Sequence, residues 1–276
     1  MNRLGLIFLV LLLPSFSLAQ SITRSAAQPG FGLWSIASAD APRLSAESHP
    51  AFDLSTPVSI PSMSAELALD AYRRQANRQS QALAGYSAST LIRAELTASS
   101  QRGEFRLERH YTAPRSLAFK PVRYEGDGFV KTNVIARILQ SEVDHVQKDD
   151  PALTALAPEN YKFSHKGTTQ LDGRTAHVYQ IKPRKKRSGL FKGQIYLDAQ
   201  TGRLLRVEGR VVKSPSIFIN KIDFVQDYAE VDGFNLPAHI HSEAKAALVG
   251  RTVVDIENRD YQTTLAPQAT ARAGAD

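Results

Sequence analysis

The 276-residue sequence contains no cysteine, only two methionines and a single tryptophan. Without cysteine there is no disulfide to staple the fold, no thiolate nucleophile, and no acylation site of the kind a bacterial lipoprotein needs after its leader. A hydrophobic core must therefore hold the fold unaided, and the chain is long enough to bury one. Long apolar runs are also scarce. The one at Leu4–Leu13 is about half what a membrane-spanning helix requires, and it ends at Pro14, Ser15 and Ser17. Following Met1, Asn2 and Arg3, and preceding the small-residue triplet Ser17-Leu18-Ala19, it reads as a secretory signal peptide over residues 1–19. The expected location is the periplasm.

Several catalytic signatures are absent: Gly-x-Ser-x-Gly, a phosphate-binding glycine loop, a dinucleotide fingerprint and His-Glu-x-x-His. No cofactor is implied, and no enzyme is expected. Basic residues are in excess, with 34 Lys and Arg against 27 Asp and Glu. For an exported protein this points away from nucleic acid and toward an anionic membrane surface.

Residues 20–62 are rich in Ser, Ala and Pro without helical or strand period and read as a linker. Ser64 then caps a predicted helix with Glu66 in its first turn and Gly85 as an expected left-handed C-cap. Beyond Gly85 the period changes to two, with Tyr86, Ala88, Thr90, Ile92, Ala94 and Leu96 on one face. Two more strands follow, about 104–111 and 116–124, then a second helix over 129–147. Seven further strands run from Tyr161 to Tyr261, punctuated by turn signals such as Asp172-Gly173 and Asp232-Gly233. About ten strands and two helices give an α+β class: a curved, mostly antiparallel sheet with helices covering its concave face. One domain is expected over 63–265, with a polar tail at 266–276.

The layout and several phrases resemble the LolA/LolB-like periplasmic proteins, a group that includes the first domain of RseB-type regulators. The phrases are Leu83-Ala84-Gly85-Tyr86-Ser87-Ala88, Ala113-Pro114-Arg115-Ser116-Leu117-Ala118-Phe119, the strand-turn-strand element Gly193 to Val207, Ile222-Asp223-Phe224, and Phe234-Asn235-Leu236-Pro237. The resemblance implies an unclosed β-barrel with helices at its mouth and a hydrophobic cavity for acyl chains of lipoproteins or other lipids. The basic loop and the long Pro-rich linker depart from that pattern and leave the cargo open.

Three constellations stand out. The apolar set Ile92, Leu96, Phe105, Leu107, Leu117, Phe119, Ile195, Leu197, Val207, Ile222, Phe224 and Ile240 projects toward one face of its strands. Such residues make either a filled core or a lipid-binding cavity, and the resemblance favours the cavity. Lys182, Arg184, Lys185, Lys186 and Arg187, followed by Leu190 and Phe191, suggest cations beside exposed apolar groups, a combination suited to a membrane or anionic partner. His239, His241 and Glu243 alternate on one strand, a spacing metal ligands can use, but with no second His cluster to complete a shell it reads as a solvated face, and no metal site is expected. The expected function is a periplasmic, non-catalytic carrier for acyl chains in outer-membrane lipoprotein sorting. The rivals are an envelope interaction or sensor module of RseB type and, third, a hydrolase built on a metal or on a pair drawn from acids such as Glu142, Asp144 and Asp255.

Overall fold

The computed structural model describes residues 62–213, 219–246 and 250–267. The expected leader, nearly all of the linker and most of the tail lie outside them.

Helix α1 spans Ala65–Ala82, and the Ser64 side chain accepts from the Leu67 amide at 3.3 Å, as the sequence indicates. Its C-terminus differs from expectation. Leu83 is already extended, the first strand, β1 (Leu83–Leu96), begins there, and Gly85 lies inside it. The glycine is needed for close approach, since a Cβ at residue 85 would sit 2.5 Å from the Tyr111 carbonyl oxygen. Strands β2 (Gln101–Thr112) and β3 (Ser116–Gly126) complete a meander. Asp127 then caps the short helix α2 (Gly128–Val130) with its side chain. A π-helical turn over Lys131–Ile135 carries the chain into α3 (Ala136–Lys148). The second predicted helix is thus real but interrupted.

After a 3-10 turn at Pro151–Leu153 the remaining strands follow: β4 (Tyr161–Leu171), β5 (Arg174–Pro183), β6 (Phe191–Asp198), β7 (Leu204–Val211), β8 (Ile219–Val231), β9 (Phe234–Ala246) and β10 (Gly250–Leu265). Two of their turns are set by Asp-Gly pairs with positive φ at both residues, 49° and 78° at Asp172-Gly173 and 50° and 81° at Asp232-Gly233. That is the two-residue turn whose twist matches antiparallel strands.

All ten strands form one antiparallel sheet in the order β3-β2-β1-β10-β9-β8-β7-β6-β5-β4. β3 and β4 are its unpaired edges, so the sheet is open, an unclosed α+β barrel of the kind the resemblance implied. Pro121 on β3, and a bulge with Gly167 at φ 113° on β4, keep these edges from presenting a regular ladder. On β1 the alternation holds residue by residue, with Ala88, Thr90, Ile92, Ala94 and Leu96 all buried.

The helices cover the inner face. Val130, Val134, Ile135, Ile138 and Leu139, from α2 through α3, form one cluster with apolar residues of β1, β2, β8, β9 and β10. Tyr72 of α1 and Leu156 form a second with β4 to β8. α1 can lie against the β6–β7 turn because residue 202 is glycine at φ 70°, where a Cβ would stand 2.6 Å from that of Ala71.

Candidate ligand-binding interior

The twelve apolar candidates share the inner face but not one cluster. Ile92, Leu96, Leu107, Ile222 and Ile240 are buried under α3, with Phe105 and Phe119 half-buried against them. Ile195, Leu197, Val207 and Phe224 belong to the cluster under α1 and Leu156. Leu117 is buried at the β3 edge and belongs to neither.

The two clusters meet at Val211, and beside that contact the interior carries polar groups. Gln226 points inward from β8, fully buried, paired in register with Val207 on one side and Ile240 on the other. Neither of its amide atoms has a hydrogen-bond partner, and the buried Tyr228 hydroxyl beyond it has none either. Burial raises Tyr228, Tyr72 and Tyr261 above the ordinary tyrosine range, so all three stay neutral hydroxyls.

The same interior holds an ion pair that sequence reasoning missed. Arg109 occupies the inward position of β2 between Leu107 and Tyr111, where the alternation calls for an apolar residue. It is 1% exposed, and its Nη1 lies 2.8 Å from Oε2 of Glu142 on α3, which is 0% exposed. Its Cζ stands 5.0 Å from the Phe119 ring centroid, a cation–π contact. The carboxylate contact lacks hydrogen-bond directionality, and the nitrogens of Arg109 and both oxygens of Glu142 have no directed partner. Burial pulls the Arg109 guanidinium toward its neutral form, but Glu142 and the Tyr86 hydroxyl outweigh it and hold the charge firmly on. The only available signal was a cation at an inward position of a two-period strand.

The three acids singled out from sequence do not meet one another. Glu142 faces Arg109, Asp144 faces Lys148 at 2.8 Å, and Asp255 faces His241 at 2.7 Å. His239, His241 and Glu243 lie on the outer face, partly exposed, and engage neighbouring strands: His239 faces Asp227 and Asp255, and Glu243 takes Arg251 at 2.5 Å. Among the described residues no group of three or more His, Asp or Glu side chains is placed to hold a metal ion. Outer-face grooves of about 440 and 410 Å³ run over β1, β2 and β10, lined largely by charged residues such as Arg93, Glu104, Arg106 and Glu257.

The basic loop departs from expectation in one respect. Leu190 and Phe191 are not surface groups but 1% and 0% exposed, with Phe191 in T-shaped contact with Phe224 at 5.1 Å. β6 begins at Phe191, and its alternation turns that ring inward. Arg184 donates to the Pro158 carbonyl at 2.6 Å and Arg187 to that of Leu153 at 3.3 Å, which ties the loop to the 153–158 segment. Lys182, Lys185 and Lys186 stay exposed.

The profile of a family of unknown function (DUF5686) matches residues 153–256. No curated protein matches the chain. Among solved structures, the chain is similar to a putative outer membrane lipoprotein-sorting protein domain from Vibrio parahaemolyticus, with 13% identity, a TM-score of 0.41, and 73% of this chain and 94% of that one covered. A LolA superfamily protein from Nitrosomonas europaea gives 11% identity, a TM-score of 0.38, and coverage of 75% and 96%. A chain of the Pseudomonas aeruginosa MucA/MucB complex gives 14% identity, a TM-score of 0.24, and coverage of 72% and 100%.

Proposed function

We propose that this protein is an exported, non-catalytic carrier whose single domain, residues 63–265, takes acyl chains against the inner face of its open sheet when α3 lifts. The observation that carries the reading is the way α3 is held. Its apolar stripe covers the sheet, yet the charged contact beneath it is a buried ion pair without directed hydrogen bonds. Such a pair contributes little net stability, because desolvating two ions offsets most of their attraction. A helix fixed permanently in a core is better secured by apolar side chains. The π-helical turn at Lys131–Ile135 interrupts the α-helical ladder at the base of α3, where a lifting motion would bend the chain.

Lifting α3 uncovers Ile92, Leu96, Phe105, Leu107, Phe119, Ile222 and Ile240. An acyl chain laid there gains ~0.8 kcal/mol per buried methylene, so roughly ten methylenes return on the order of 8 kcal/mol against the cost of opening. The leader-like residues 1–19 support the periplasm as the site of action, and lipoprotein sorting is the process such a carrier would serve.

The test is organic extraction of the purified protein followed by mass spectrometry, together with titration of a fluorescent fatty-acyl probe. A stoichiometric acyl species, or saturable probe binding weakened by Ile92→Asp, is the expected result. A clean extract combined with no probe binding would sink the carrier reading.

A further inference from the structure

The strand register places four cations in one row across the outer face of the sheet. Lys162 on β4 faces Lys182 on β5, and one residue beyond the Ile181–Gly193 pair Lys182 comes beside Lys192 on β6. Lys192 in turn faces Arg210 on β7. All four are exposed, while their strand neighbours Tyr161, Ile181 and Phe191 point into the core. With neighbouring strands about 4.8 Å apart, the row is roughly 14 Å long.

Like charges placed directly opposite on adjacent strands destabilise a sheet, and elsewhere on this outer face cations are set beside acids: Arg93 with Glu104 and Glu257, Arg251 with Glu243. The row breaks that habit. Its far end is neutralised, since Arg210 pairs with Asp223 at 2.6 Å, an acid shared with Lys221. Among the described residues, Lys162, Lys182 and Lys192 enter no ion pair. The adjoining row is Ser164, Gln180, Gln194 and Glu208, and the Glu208 carboxylate accepts from the Tyr196 hydroxyl at 2.7 Å. On the other side lie Arg184, Lys185, Lys186 and Arg187, with the exposed Glu159 just before β4. Leu153, 43% exposed, sits in the turn whose carbonyl receives Arg187.

We propose that the row Lys162–Lys182–Lys192, with the adjoining loop 184–187 and Leu153, is a docking surface for an anionic lipid bilayer. The unpaired row is built of lysines, point charges on flexible stems that suit laterally mobile phosphates better than the fixed, bidentate geometry of a protein carboxylate. Leu153, exposed in the turn whose carbonyl receives Arg187, supplies the apolar contact that soluble proteins add to such electrostatics. The lysine row lies on the opposite side of the sheet from the apolar interior and does not depend on what that interior holds. Either reading can fail while the other stands.

The experiment is flotation of the full-length mature protein with vesicles of phosphatidylcholine alone, or of phosphatidylcholine mixed with phosphatidylglycerol, at low and high salt. The parent binds only the anionic vesicles and is released by salt. The variant K162Q/K182Q/K192Q loses on the order of 100-fold in partitioning, at about fivefold per cation. Leu153→Ser weakens binding without changing its salt dependence. The row variant melts no lower than the parent, because its substitutions relieve like-charge opposition, so a loss of binding is not a loss of fold. No binding to anionic vesicles at low salt, equal binding to neutral ones, or an unchanged row variant would overturn the proposal. So would binding to soluble polyglutamate without binding to vesicles, which would assign the surface to an acidic polypeptide.

Discussion

Replacing Glu142 by leucine leaves the Arg109 guanidinium in the interior without its counter-ion, 1% exposed and 5.0 Å from the Phe119 ring. Uncompensated buried charge of this kind costs about 3–5 kcal/mol, and Arg109→Met imposes a similar cost by stranding the carboxylate. For a domain of this size each kcal/mol lowers Tm by roughly 2–4 °C, so either single variant melts on the order of 10 °C below the parent. The double variant R109M/E142L removes both ions and offers apolar groups of similar bulk, so it returns to within about 1 kcal/mol of the parent or exceeds it. The coupling in the resulting cycle then exceeds ~3 kcal/mol, beyond what ordinary neighbouring side chains show. Urea titration followed by far-ultraviolet circular dichroism supplies the four free energies, with unchanged slopes as the check that one transition is being compared. The double variant also replaces the charged contact beneath α3 by apolar packing, so it takes up an acyl probe more slowly at equal or higher stability. Single variants costing under ~1 kcal/mol, or a double variant as unstable as the sum of the singles, would refute the reasoning.

Three further outcomes follow from the same interior. Gln226→Met replaces a fully buried amide that has no partner with an apolar chain of similar length, and raises the unfolding free energy by about 1–2 kcal/mol in the same titration. Gly202→Ala forces a side chain into positive φ and sets its Cβ 2.6 Å from Ala71, so α1 is pushed from the β6–β7 turn and stability falls by at least ~2 kcal/mol, read as a drop in Tm. In alkali the protein weakens: burial lifts Tyr179 to about 12 from an unfolded value of 10.0, so its contribution is complete below pH 10 and disappears as the pH rises through 12. A flat Tm across that window would contradict the burial of its hydroxyl.

Much of the architecture was legible because it rests on short-range signals. Asp172-Gly173 and Asp232-Gly233 announce their turns through residues that tolerate positive φ, and β1 shows its buried face through strict alternation. What escaped depends on distant partners. Gly85 resembles a helix cap in sequence, and only the nearness of the Tyr111 carbonyl explains it as a strand residue. Leu190 and Phe191 follow a run of cations, so their burial becomes evident only once β6 is seen to begin at Phe191. Arg109 and Glu142 are 33 positions apart on different element types, and no local pattern foretells that they meet. The apolar set was correctly placed on one face, but its division into two clusters follows from where two helices lie. Sequence periodicity does not report that.

The strand order has a consequence in time. β1 pairs along its length with β10, the C-terminal strand of the sheet, and Thr90 donates to Asn258 across 168 positions of chain. Until that strand arrives, the sheet exists only as two separate meanders, β1 to β3 and β4 to β9, and the cluster under α3, which draws on both, is incomplete. Contacts of such long sequence separation form late and slowly. A sheet built this way cannot close over its α3-covered face until its C-terminal strand is available, so its two halves commit to one shape together.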